Sequence, residues 1–213
     1  DLTSEWDRKR KDYLENIFRI KKNLKLATFQ TTRCCSEEKI VKGIFQLKGK
    51  IFSEDEMLNN AKTNINWLRS VLKTNIEIGI ENNNYYPSEA YNIITNGDFL
   101  SKIVNQNNLF LLLDIAHAKV TAHNKKISYN SYLKSLTLDK IIQLHICQPS
   151  IPAEGIATDA HDAPNNQMFD EVISLTKKYK NIKYLTIEYY KDKNKLIESI
   201  TTLKKLLKNE SLR

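Results

Sequence analysis

Four strand-like runs in this chain each end on a residue able to bind a metal ion. Ile76 to Ile80 runs into Glu81, Leu111 to Leu113 into Asp114, Ile141 to Leu144 into His145, and Tyr184 to Ile187 into Glu188. An isolated carboxylate or imidazole at such a place commonly caps a helix or sits as a satisfied core group. Recurring at the same end of parallel-type strands, these residues describe one rim of a β/α barrel, where enzymes of that architecture assemble their active sites.

Amphipathic segments separate the runs. Strands are expected near residues 25–30, 76–81, 109–114, 141–146 and 184–189. Helices are expected over 4–22, 54–73, 88–106, 129–135, 167–180 and 192–208, with Ser53 and Ser88 as caps for two of them. This alternation predicts an α/β fold, a TIM-type (β/α) barrel. With only five glycines and four prolines there is no flexible linker, so residues 1–213 read as a single domain. A closed barrel takes roughly eight β/α units and about 250 residues. The chain supplies about five units and begins at Asp1, so N-terminal strands are expected to lie outside this numbering. The alternative is an incomplete barrel.

The two-residue period of a strand sorts the side chains into faces. Ile76, Ile78 and Ile80 oppose Glu77, Gly79 and Glu81; Ile142, Leu144 and Ile146 oppose Ile141, Gln143 and His145; Leu185 and Ile187 oppose Tyr184, Thr186 and Glu188. Asp114 shares a face with Leu112 and Phe110, and Gln30 with Thr28 and Leu26. The aliphatic faces belong against helices. The other faces bring Gln30, Glu81, Asp114, His145 and Glu188 to one rim. After the His145 strand, the segment Gly155 to Pro164 carries Asp159 and His161, which in an extended loop point the same way and can chelate one ion. Asp114 and His117 can do likewise across a strand end. The candidate ligands are therefore Glu81, Asp114, His117, His145, Asp159, His161 and Glu188, four carboxylates and three imidazoles. So many donors suit two or three ions, and oxygen with nitrogen, without thiolate, favours iron, manganese or zinc over copper(I). His123 reads as a structural histidine.

Composition narrows the partners. The net charge of +8 would attract nucleic acid or an acidic peptide. The lysines, however, follow helix surfaces away from the rim, and no basic and aromatic interleaving supplies stacking platforms, so a peptide is favoured over nucleic acid. No stretch approaches the roughly 20 apolar residues of a membrane span, and no secretory leader opens the chain. Cys34, Cys35 and Cys147 suggest no disulfide framework, so free thiols in a reducing cytoplasm are expected.

The ordered motifs IEN (80–82), LLLDIAHAKVTAHN (111–124), IIQLHI (141–146), DAHDAP (159–164) and LTIEYY (185–190) resemble those of the multinuclear non-haem iron-dependent oxidative enzymes. The resemblance runs over about residues 25–190. It implies a xylose-isomerase-like barrel, a site of two or three iron ions, and modification of cysteine-containing peptide precursors with a partner protein. It further implies that Glu81 bridges ions and that Asp114, His145, Asp159, His161 and Glu188 are ligands. His117 stands where many of those enzymes have Asn, and Gln30 where they have His. The chain is also similar to the endonuclease IV and sugar isomerase/epimerase branches, whose Asp-x-x-His-Ala motif and Asp-x-His loop imply a hydrolytic or isomerising alternative. A non-catalytic barrel module is the remaining one.

Overall fold

The apolar runs form one parallel sheet, and the segments between them return along its outer side. The computed structural model describes residues 1–211. In chain order its elements are α1 (Arg8–Ile20), β1 (Leu26–Gln30), β2 (Ile40–Val41), β3 (Ile44–Phe45), α2 (Glu54–Val71), β4 (Glu77–Glu81), α3 (Gly97–Gln106), β5 (Phe110–Asp114), α4 (Ile115–Asn124), α5 (Tyr129–Ser135), β6 (Ile141–Ile146), β7 (Gln148–Ser150), β8 (Thr158–Asp162), α6 (Asn166–Lys178), β9 (Tyr184–Ile187) and α7 (Lys193–Ser211). The five strands β1-β4-β5-β6-β9 pair in that order, all parallel, and the sheet curls into half a barrel. Short hairpins, β2–β3 and β7–β8, stand apart from it.

The aliphatic faces pack under the helices. Ile78, Ile80, Leu111, Leu113, Leu144 and Ile146 share one hydrophobic cluster with Ile65 and Leu68 of α2, Phe99 and Ile103 of α3, and Val172 of α6. Each such side chain contributes about 1.5–3 kcal/mol relative to an exposed one. Helix starts follow local chemistry. Ser53 and Glu56 close a reciprocal capping box at α2, whose first turn carries Glu54, Asp55 and Glu56 against the positive end of the helix dipole. Among the described residues no helix is long and apolar enough to cross a membrane.

Four expectations need correction. The helix expected over 88–106 is two pieces: Ser88 caps a single 3-10 turn, Glu89–Tyr91, and Asn96 starts α3 by accepting the Asp98 N–H. Helix α4 went unread because it is buried nearly all round, from Ile115 through Ala122, and so shows no amphipathic period. Asp159 and His161 lie on β8, paired antiparallel with β7, rather than in an extended loop, and His161 adopts φ 46°. The face assignment of Ile141 also fails. Pairing of β5 with β6 slips between Leu111 and Leu112, so that Leu111 faces Ile141 but Leu112 faces Gln143. Ile141 consequently joins the hydrophobic cluster with Leu144 and Ile146, whereas Ile142 is buried outside it.

Candidate metal centre

Strand ends deliver most of the polar groups. Glu81 closes β4, Asp114 closes β5, His145 is the penultimate residue of β6, and Glu188 follows β9 directly. Asp114 also caps α4, its Oδ1 accepting the His117 N–H at 2.7 Å, which fixes the three-residue spacing between the two side chains. The β7–β8 hairpin brings Asp159 and His161 over the same rim.

The seven side chains predicted as ligands form one connected group. Glu81 Oε1 lies 3.5 Å from His117 Nδ1 and 3.3 Å from His145 Nδ1. Asp114 Oδ2 is 3.8 Å from each of those nitrogens. His145 Nδ1 reaches Glu188 Oε1 at 3.1 Å, and Asp159 Oδ2 sits 3.2 Å from both His117 Nε2 and His161 Nε2. His161 Nε2 and Glu188 Oε2 close the group at 3.5 Å. Two triplets, Glu81 with Asp114 and His117, and Asp114 with His145 and Glu188, each hold donor atoms within 4.8 Å of one another.

Neighbouring residues fix these groups. The Asn82 carbonyl lies 2.9 Å from His117 Nδ1. In neutral His117 that contact takes the Nδ1–H and leaves the Nε2 lone pair facing Asp159. Gln30 Nε2 donates to Glu81 Oε2 at 2.7 Å, so the glutamine expected at the rim orients a carboxylate. Gln143 Nε2 lies 3.2 Å from His145 Nε2 and donates to Thr186 Oγ1.

Electrostatics follows from burying so much charge. Burial pushes the Asp114 carboxyl up to about 6, against the pull of His117. Burial opposes protonation of His117, yet Asp114, Asp159 and Glu81 together raise it to about 10. The same contest at His145, with burial opposed by Glu188 and Glu81, ends at about 9. The His145 imidazole, with Nδ1 3.1 Å away, holds Glu188 low despite its burial. Two polar atoms in this centre, Asp114 Oδ2 and His145 Nδ1, are buried without a hydrogen-bond partner. Burying such groups unpaired is costly, and a cation between them would satisfy both, so this donor set fits a metal ion.

Sequence reasoning missed two neighbours. Cys147, sorted with the free thiols, is fully buried and its Sγ lies 3.5 Å from Asp159 Oδ1. Its signal was the two-residue step from His145. Tyr86 holds the hairpin, its hydroxyl accepting the Asp159 N–H at 3.4 Å. His123 stands apart from the cluster, with Nε2 3.1 Å from the Gly155 carbonyl.

Known proteins resemble this chain in sequence and fold. A UPF0276 protein of Vibrio parahaemolyticus is 29% identical over 92 residues, covering 43% of this chain and 31% of that protein. A UPF0276 protein of Caulobacter vibrioides is 29% identical over 85 residues, covering 40% and 30%. The chain thus spans about a third of the length of the curated relatives it matches. Among solved structures, a D-tagatose 3-epimerase-like protein superposes with a TM-score of 0.53 at 16% identity, covering 97% of this chain and 86% of that one. That likeness establishes the fold, a partial TIM barrel. The model of the family described as RiPP precursor modification enzyme MbnB/TglH/ChrH matches residues 11–205, a span that includes all the converging side chains, and the chain belongs to that family of multinuclear non-haem iron enzymes.

Proposed function

We propose that this chain is a metal-dependent oxidative enzyme that modifies cysteine residues of a precursor peptide at a di- or tri-iron site, with a partner protein presenting the peptide. One observation carries the reading: carboxylates and imidazoles from four strand ends and a hairpin surround buried, unpartnered Asp114 Oδ2 and His145 Nδ1. Membership of a precursor-modifying family supports a peptide as substrate. Mixed oxygen and nitrogen donors suit iron, with zinc or manganese as substitutes.

Each residue has a role in this scheme. Glu81, between His117 and His145, would bridge ions; Asp114, His145 and Glu188 would ligate on one side, and His117, Asp159 and His161 on the other. Iron, when bound, supplies the redox chemistry with dioxygen that oxidation beside a thiol requires. Gln30 steers Glu81, the Asn82 carbonyl fixes the His117 tautomer, and Asp114 itself is shut off from bulk water. The free thiols Cys34, Cys35 and Cys147 fit a reducing, cytoplasmic setting.

The test is to purify the chain anaerobically, determine its metals with elemental analysis and Mössbauer spectra, and incubate it with a cysteine-containing peptide encoded beside its gene. An iron- and dioxygen-dependent mass change in the peptide is expected. Equal activity with zinc alone under exclusion of iron would overturn the oxidative reading. Cleavage of abasic-site DNA with no peptide mass change would move the chain to the hydrolytic class.

A further inference from the structure

We infer that Cys147 is a thiolate ligand to the ion on the hairpin side of this centre, an inference that rests on the metal reading above. Cys147 Sγ, His161 and Glu188 place donor atoms within 4.8 Å of one another. Metal bonds of about 2.3 Å to sulfur and about 2.0 Å to nitrogen set neighbouring ligand atoms roughly 3.5 Å apart, so small side-chain rotations close this set on one ion.

The bland alternative is a thiol filling space, as buried cysteines commonly do. Its surroundings argue otherwise. Cys34 packs inside the hydrophobic cluster, whereas Cys147 is equally buried, lies outside that cluster, and directs its Sγ at the Asp159 carboxylate. A second observation points to a cation here. Glu188 belongs to both the Cys147 triplet and the triplet of Asp114 and His145, and the Asp114 Oδ2 aimed into the latter is fully buried without a partner. A neutral thiol offers these acids no positive charge; an ion bound among them and to the thiolate would. Coordination replaces the S–H bond by a sulfur–metal bond and releases one proton to solvent.

Thiolate ligation leaves an optical mark that oxygen and nitrogen donors do not. The full chain, stripped of metal and loaded with cobalt(II), should show a thiolate-to-cobalt charge-transfer band in the near ultraviolet. The chain has three cysteines, so with Cys34→Ser and Cys35→Ser combined, Cys147 is the one thiol left and the band should persist. Cys147→Ser should abolish it while cobalt is still taken up. Cobalt-loaded wild-type protein with no such band overturns this inference and leaves the metal centre standing. A band that survives Cys147→Ser and vanishes from the double variant also overturns it. A wild-type chain that takes up no cobalt defeats the metal reading and this inference together.

Discussion

Asn82 grips the backbone of Asp114 with both ends of one amide: its Nδ2 donates to the Asp114 carbonyl at 3.0 Å, and its Oδ1 accepts the Asp114 N–H at 2.8 Å. The two residues sit just past or at the ends of adjacent strands, so the amide acts as one more rung where the β4–β5 ladder stops. Because the Asn82 carbonyl also meets His117, one residue places two candidate ligands. Asn82→Ala should leave buried backbone groups of Asp114 unpaired, at about 1–3 kcal/mol each. A lower melting temperature and a reduced metal content are expected together. Unchanged values of both would show that Asp114 is held by something else.

Glu81→Gln keeps shape and removes the charge that faces His117 and His145. Metal retention should fall by at least about tenfold, as for losses around ligated metals generally, with the far-ultraviolet circular dichroism preserved. Insoluble protein that still carries its metal would point to a structural carboxylate instead.

The metal-free chain should lose stability as pH rises above neutrality. Folding raises His117 to about 10 and His145 to about 9, from an ordinary value of 6.5. The folded chain therefore holds protons that the unfolded chain has released. This contribution is complete below pH 6.5 and is lost as pH climbs through about 9 and then 10. Melting temperatures of chelator-treated protein should fall across that window, while metal binding, which needs deprotonated imidazoles, should tighten. A metal-free melting temperature that rises with pH there would contradict the electrostatics described.

A substitution away from the charges tests the packing. A Cβ on Gly97 would stand 1.8 Å from Ser135 Oγ and 2.7 Å from its Cβ, where the start of α3 meets the end of α5. Gly97→Ala should cost about 1–3 kcal/mol, read from denaturant unfolding, because the two helices must separate. A neutral result would mean that the end of α5 shifts at little cost, since rotating Ser135 moves its Oγ but not its Cβ.

Strand ends were legible because buried parallel strands leave dense apolar runs, and a charged residue closing Leu111 to Leu113 marks a boundary that few other structures explain. Helix α4 was not, since a helix enclosed on every side carries no stripe. The β7–β8 hairpin escaped because Pro149, Pro152 and Gly155 interrupt it and Thr158 to Asp162 has little β-branched character. Asn82 and Cys147 were hidden for another reason. Their contacts are with groups 32 and 12 residues away, and no local period reports a partner across strands.

The slip between β5 and β6 makes the centre depend on an odd or even count. Continuing in step from Leu111 opposite Ile141, Asp114 would stand level with Leu144; with the slip it stands level with His145. Alternate residues of a strand face opposite ways, so a β6 that kept Ile142 but lost the slip would put an isobutyl group in place of an imidazole beside Asp114 without altering either residue. The ligand set is thus encoded in the extra residue of β6 as much as in residue identity, and pairing that ran straight through Ile142 would disarm the rim as surely as replacing His145.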